Sequence, residues 1–301
     1  MQTLIIDTDC GIDDAVAIMM ALAHPEAAVA GITTVSGNVA VDQVTENVAR
    51  LLSYVDRTDV PVYHGASHAL LQGPVRAAGV HGENGLGGVE LPPARFAPRA
   101  ETAPVGLRDL LSAHPGATVV TLGPLTNLAV ALNLFPGIAE LIGRLVAMGG
   151  GIETGNVTRF AEFNFYADPE AVQFVLDRDL SMELVPWDAC LEHAFSEEDL
   201  RGIGFAEGRG ADLFFRLQDF VLDRSQHVYG RRITRHPDPL ATAYAIDPGV
   251  ARQVRRSGLR MELGATMLRG ASVRTDGEQV SAVMSIDRER YFSILRRIGD
   301  L

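Results

Sequence analysis

The chain has 301 residues, 47% of them hydrophobic and 21% charged, which is ample for a large buried core. Its formal net charge of −12 would repel phosphates, so nucleic acid and anionic membrane surfaces are disfavoured as partners, whereas a neutral small molecule is not. The two cysteines, Cys10 and Cys190, are too few for a disulfide framework; with no leader pattern and no uncharged apolar stretch of membrane-spanning length, the expected location is the cytoplasm.

Residues 3–7 read as a strand and 13–23 as a helix ended near His24-Pro25. The join between them, in LIIDTDCGIDDAVAIMMAL, holds Asp7, Asp9, Asp13 and Asp14. Carboxylates this close repel unless a cation sits among them or some stay protonated. Hard oxygen ligands at this spacing suggest Ca²⁺ or Mg²⁺, at the strand end where open α/β sheets place their ligands. The local alternative is that Asp13 or Asp14 caps the helix and Asp9 sits in a turn. A phosphatase with an aspartyl nucleophile also opens on a strand and Asp-x-Asp, but that reading leaves Asp13 and Asp14 unexplained.

Residues 28–35 read as a buried strand, 40–55 as a helix with Val41, Val44, Val48, Leu51 and Leu52 on one face, and 60–63 as a short strand. Asn38, in SGN after the second strand, would face the same sheet edge as the aspartates, or simply serve its own turn. Residues 64–101 lack sustained periodicity; a loop of this length is usually functional or mobile. Its HGENGLGG tip carries His81, which could contact a ligand or donate a proton, or be plain solvated surface.

A helix over 104–113, a strand over 117–122 and a helix over 125–134 follow, joined by GPLTN. The Leu122 carbonyl ends that strand and could face a metal, since Ca²⁺ accepts backbone oxygens. A strand over 142–148 runs into three glycines and an irregular segment, MGGGIETGNVTRFAEFN. Asn156, Glu162 and Asn164 supply donors and acceptors together, which suits a polyhydroxylated ligand, while Phe160, Phe163 and Phe165 argue against a solvated loop. A helix over 168–178, a strand over 182–186, helices over 189–194 and 207–228, and a helix over 239–246 preceded by Asp238 come next. Asp238 reads as a helix cap, a metal carboxylate, or both. Strands over 259–264 and 280–286 and a helix over 288–298 complete the chain. The alternation predicts one α/β domain over 1–301: an open, mostly parallel central sheet with helices on both faces, a Rossmann-like core.

In order, DTDCGIDDAVAI, SGN, HGENGLGG, GPLTN, MGGG, N-(x5)-EFN and DPLA resemble the motifs of the inosine–uridine-type nucleoside hydrolases across most of the chain. The resemblance implies Ca²⁺-dependent hydrolysis of a ribonucleoside to base and ribose, by a homodimer or homotetramer. It implies that Asp9, Asp14, the Leu122 carbonyl and Asp238 bind the ion, and that Asp9 also takes the proton of the attacking water. Asp13, Asn38, Asn156, Glu162 and Asn164 would hold the ribose hydroxyls, Met148 and Phe163 would line the sugar site, and His81 would approach the base. Such a reaction builds positive charge at the anomeric carbon, which a carboxylate-rich site stabilises. The chain departs from the family's adjacent His-Asp pair by reading His236-Pro237-Asp238-Pro239. Assistance to the leaving base then falls to His236 swinging in, to His81, to Tyr229 or to nothing. Trp187, where relatives commonly carry an aliphatic residue, is expected to pack. The departure leaves two alternatives open, a hydrolase of a modified N-riboside and a non-catalytic ribose or nucleoside binder; a magnesium phosphohydrolase is an outsider.

Overall fold

The computed structural model describes residues 1–178 and 180–301. Its first half runs β1 (Gln2–Thr8), α1 (Ile12–Ala23), β2 (Ala27–Thr34), α2 (Val41–Tyr54), β3 (Val62–Tyr63), α3 (Ala78–His81), α4 (Ala103–Ala113), β4 (Ala117–Thr121), α5 (Thr126–Leu134) and β5 (Ile142–Met148). Then come α6 (Phe163–Ala167), α7 (Pro169–Leu176), β6 (Met182–Val185), α8 (Trp187–Glu192), β7 (Ala194–Ser196), α9 (Glu197–Arg201) and α10 (Arg209–Tyr229). The chain closes with β8 (Ile233–Arg235), α11 (Pro237–Ile246), β9 (Ala251–Met261), β10 (Ser272–Ile286) and α12 (Arg288–Leu295).

The main sheet has eight strands in the order β3-β2-β1-β4-β5-β6-β10-β9. Every pair is parallel except the terminal β10–β9 hairpin. Successive side chains of a strand point to opposite faces, and both faces are covered by helices. Leu4, Ile6, Val120 and Val146 therefore join one apolar cluster, while Ile5, Val119, Leu145 and Leu184 join the other. The strand order reverses between β1 and β4, which pair directly. Loops leaving those two strands diverge to opposite sides and open a crevice at their carboxyl ends. Thr8 and Thr121, the last residues of β1 and β4, put Asp9 and Leu122 at that crevice.

The expected open α/β sheet is the observed one, with differences at its far edge. β9 starts at Ala251 and β10 at Ser272, both well before the predicted strands. Arg252, Arg255, Arg256 and Arg260 interrupt the apolar signal of β9, because an edge strand carries charge where a central one cannot. The antiparallel pair β7–β8 is also new: three residues a side are too few to show periodicity. The segment 64–101 is tied down by specific bonds. Leu70 N donates to Asp168 Oδ2 (2.9 Å), Ala66 N to Asn127 Oδ1 (2.9 Å) and Ala77 N to the Asn38 carbonyl (3.1 Å), so α3 is held against the crevice.

Candidate active site

Each wall of the crevice follows from a strand end. After β1 the chain turns sharply, and Cys10 takes φ 29°, a conformation a non-glycine residue holds only when its surroundings fix it. Here Cys10 N donates to Thr8 Oγ1 at 3.0 Å, Thr8 Oγ1 to Asp14 Oδ1 at 2.5 Å and Gly11 N to Asp14 Oδ2 at 2.8 Å. After β2, Asn38 meets the same group: its backbone N donates to Asp9 Oδ2 at 2.8 Å, and its Nδ2 to Asp9 Oδ1 at 3.1 Å and Asp14 Oδ2 at 3.3 Å. The approach is so close that two positions must lack a side chain. A Cβ on Gly37 would lie 2.0 Å from Asp9 Oδ2, and one on Gly11 would lie 2.5 Å from both Asn38 Nδ2 and His81 Nδ1. Asp7 stands behind the site, accepting from Thr33 Oγ1 (2.5 Å) and Asn127 Nδ2 (2.7 Å).

From the other half of the sheet, Asn164 Nδ2 donates to the carbonyls of Leu122 (2.8 Å) and Met148 (3.1 Å), tying the ends of β4 and β5. Glu162 caps α6, accepting from Asn164 N (3.0 Å) and Phe165 N (3.2 Å), and receives Gly150 N at 2.7 Å. Asn156 Oδ1 accepts from Phe163 N at 2.8 Å. Asp238, in the first turn of α11, is buried beside Asp13 and Asp14; the three acids offer oxygens within 4.8 Å of one another.

This carboxylate density has an electrostatic consequence. Burial pushes Asp13 up to about 6 and Asp7 and Glu162 up to about 7. It raises Asp9, Asp14 and Asp238 as well, and the neighbouring carboxylates add to the rise. Asp13 Oδ1 is buried without a hydrogen-bond partner. An orphaned carboxylate oxygen among hard oxygen donors fits a divalent cation. His81 faces the same group, with Nδ1 3.6 Å from Asp13 Oδ1. Ile12 N donates to that Nδ1 at 3.1 Å, so the ring proton sits on Nε2, and burial pushes the imidazole down to about 4. His81 is therefore neutral and a donor through Nε2.

Above the acids lies a cavity of ≈ 310 Å³, within the about 300–1,000 Å³ typical of small-molecule sites. Asp13, Asn38, His81, Leu122, Met148, Asn156, Glu162, Phe163, Asn164 and Asp238 line it. Asp9 and Asp14 are buried and do not belong to that lining. His236 is not brought to the cavity. It is fully buried, with Nδ1 2.7 Å from Tyr291 Oη and Nε2 3.2 Å from Gln218 Oε1, and Phe195 and Phe214 pack on its ring. Burial pushes it down to about 3. The expectation that His236 serves the base is thus corrected: both ring nitrogens are already engaged in the core, and Pro237 lines the cavity in its stead.

Several lining residues were not foreseen. Trp187, expected only to pack, both packs on the core and lines the cavity. Tyr229, one of the residues expected to assist the leaving base, lines it as well, with the unforeseen Gln218, Val221 and Ser225 on the same face of α10 and Arg224 and Arg235 beside them. The 218-221-225-229 spacing is a helical stripe legible in the sequence, but its mixed polarity hides which side it faces.

A family model described as inosine-uridine preferring nucleoside hydrolase matches residues 4–293. The chain is 33% identical over 286 residues to the pyrimidine-specific ribonucleoside hydrolase RihA of Escherichia coli, covering 94% of this chain and 88% of that protein. Among solved structures it resembles a plant nucleoside hydrolase, with TM-score 0.93 and 30% identity over 100% of this chain and 99% of that one. It also resembles a purine-preferring ribonucleoside hydrolase from Gardnerella vaginalis, with TM-score 0.90 and 26% identity over 99% and 98% of the two chains.

Proposed function

The chain belongs to the inosine-uridine preferring nucleoside hydrolase family, enzymes that hydrolyse the N-glycosidic bond of ribonucleosides, and from that premise we propose that it is a Ca²⁺-dependent hydrolase of inosine and uridine. The reading is supported by the convergence of Asp14 and Asp238 with Asp13 within 4.8 Å under an amide-lined cavity, where the unpartnered Asp13 Oδ1 stands ready for a sugar hydroxyl. Asp9, Asp14, Asp238 and the Leu122 carbonyl would hold the ion; a donor set mixing carboxylates with a backbone carbonyl suits calcium better than the smaller magnesium. When bound, the ion supplies positive charge that keeps the carboxylates ionised and orients the sugar diol.

The rest is the work of this chain's side chains. Asp13, Asn38, Asn156, Glu162 and Asn164 hold the ribose hydroxyls, with Met148 and Phe163 against the ring. Asp9 takes the proton of the water that attacks the anomeric carbon. As the C–N bond opens, positive charge grows on the sugar and the surrounding carboxylates stabilise it. His81 offers its Nε2 proton as a hydrogen bond to the base. The comparisons include both a pyrimidine-specific and a purine-preferring protein, so a panel of nucleosides assayed by release of reducing sugar is the test. Rapid turnover of inosine and uridine, abolished by chelation and restored by calcium, is expected; a chelated protein that turns over unimpaired would sink the calcium assignment.

The burial of His236 favours a second reading, hydrolysis of a modified N-riboside by the same machinery. Slow turnover of common nucleosides beside fast turnover of another riboside would establish it. Cytoplasmic residence accords with two buried free cysteines. The homodimer or homotetramer that the resemblance implies is checked by light scattering.

A further inference from the structure

With His236 turned into the core and Pro237 lacking a donor, neither residue assists a departing base, which leaves His81 and the wall carried by α10 and β8. Two cations line it. Arg235 ends β8, which the β7 ladder fixes through the Ala194–Arg235 pair. Its guanidinium lies 5.9 Å from the centre of the Trp187 ring, and both residues line the cavity. Its Nε is buried and makes no hydrogen bond. Among the described residues no carboxylate lies within 4.0 Å of Arg235, although most other arginines of the chain are ion-paired. Arg224, on α10, spends its Nε on the Gly79 carbonyl (2.8 Å) and likewise has no carboxylate partner. A partly buried guanidinium without a counter-ion is costly unless a ligand completes it.

The cavity is therefore polarised. Its acids are Asp13 and Asp238, in the first turns of α1 and α11, and Glu162 at the N-cap of α6, and its arginines without an ion pair among the described residues come from α10 and β8. Glycosidic cleavage polarises the substrate in the same sense, with positive charge at the anomeric carbon and negative charge on the base. We propose that Arg235, held against Trp187, binds the departing base as an anion and takes the place of a proton donor. This rests on the hydrolase reading above. The step balances without an added reagent. The C1′–N bond breaks, and its electron pair goes to the base nitrogen beside the guanidinium. A water oxygen bonds to C1′ and its proton passes to Asp9; the released base later takes a proton from solvent. A guanidinium is a fixed charge with forked donors, so it suits a base that leaves as an anion with an acceptor beside the glycosidic nitrogen, the 2-oxo group of a pyrimidine or N3 of a purine.

The test compares uridine and inosine with p-nitrophenyl riboside, whose leaving group departs as an anion without help. The wild type, Arg235→Gln and Arg235→Lys are measured for kcat/KM on each, with thermal melting as a check of folding. Arg235→Gln is expected to lose about 100-fold on uridine and inosine, the scale of one removed transition-state donor. It should lose at least tenfold less on the nitrophenyl riboside, and Arg235→Lys should recover part of the difference. Equal losses on both substrate types, or none on uridine, would overturn the assignment. A wild type that hydrolyses none of the three would overturn the hydrolase reading, and the proposal with it.

Discussion

Removing divalent cations should make the stability of this protein fall as the pH rises. Asp13, Asp14 and Asp238 converge within 4.8 Å, and Asp9 is buried beside them. With no cation, burial holds Asp13 at about 6 against the ordinary value of 3.8. A carboxyl whose folded pKa is raised favours the fold while it is protonated. That contribution is complete below the unfolded value and is lost as pH climbs through the folded one. About two units at 1.36 kcal/mol each give about 3 kcal/mol for Asp13. That is an upper figure, because its side chain keeps 18% of its surface exposed. Asp9, Asp14 and Asp238 shift in the same direction, and Asp7 and Glu162, at about 7, titrate in the same window. For a chain of this size the Asp13 share alone corresponds to roughly 5–10 °C in Tm between about pH 4 and pH 7.5, and the other acids add to it. A bound cation competes with those protons and reverses the trend. Differential scanning fluorimetry from pH 4.5 to 8, with chelator and with calcium, reads both curves. The gap between them should widen with pH; a gap that is constant, or larger in acid, would refute the reasoning.

Asp9→Ala should lose several orders of magnitude in kcat while circular dichroism stays native; hydrolysis of inosine and uridine at near wild-type rates would reject Asp9 as the base. Gly11→Ala drives a methyl to 2.5 Å from Asn38 Nδ2 and His81 Nδ1, so kcat/KM should drop by about tenfold or more, since small displacements of positioned groups are costly. His236→Ala strands the Tyr291 hydroxyl and Gln218 in the core, so denaturant melts should show about 2–4 kcal/mol of destabilisation. The ratio of uridine to nitrophenyl riboside turnover should stay that of the wild type, and a collapse of that ratio would restore His236 as a leaving-group residue.

How far the site could be read from the chain differs between its two halves. Asp9 and Leu122 directly follow β1 and β4, and Asp13, Asn38 and the Asn156–Asn164 segment lie in the stretches that β1, β2 and β5 run into, so local sequence places them near the crevice. The strand ends were also the most legible elements, since buried parallel strands are nearly continuous apolar runs. The wall facing the base is different. α10 and β8 lie far from β1 in sequence and reach the cavity only because α10 packs across the opening and the small β7–β8 ladder fixes Arg235 beside Trp187. His236 shows the limit most plainly. By sequence it stands one residue from the expected position, close enough to swing in, yet Tyr291, 55 residues away, and Gln218, 18 away, hold both ring nitrogens.

The sequence by itself determined the sheet, its parallel sense and the acid-and-amide floor, because those depend on periodicity and on residues adjacent to strand ends. Only the tertiary structure decided which cations and aromatics complete the cavity and which histidine is withdrawn from it. Those outcomes depend on packing between segments that share no local pattern, and hydrogen-bond partners in a core are chosen by proximity in space.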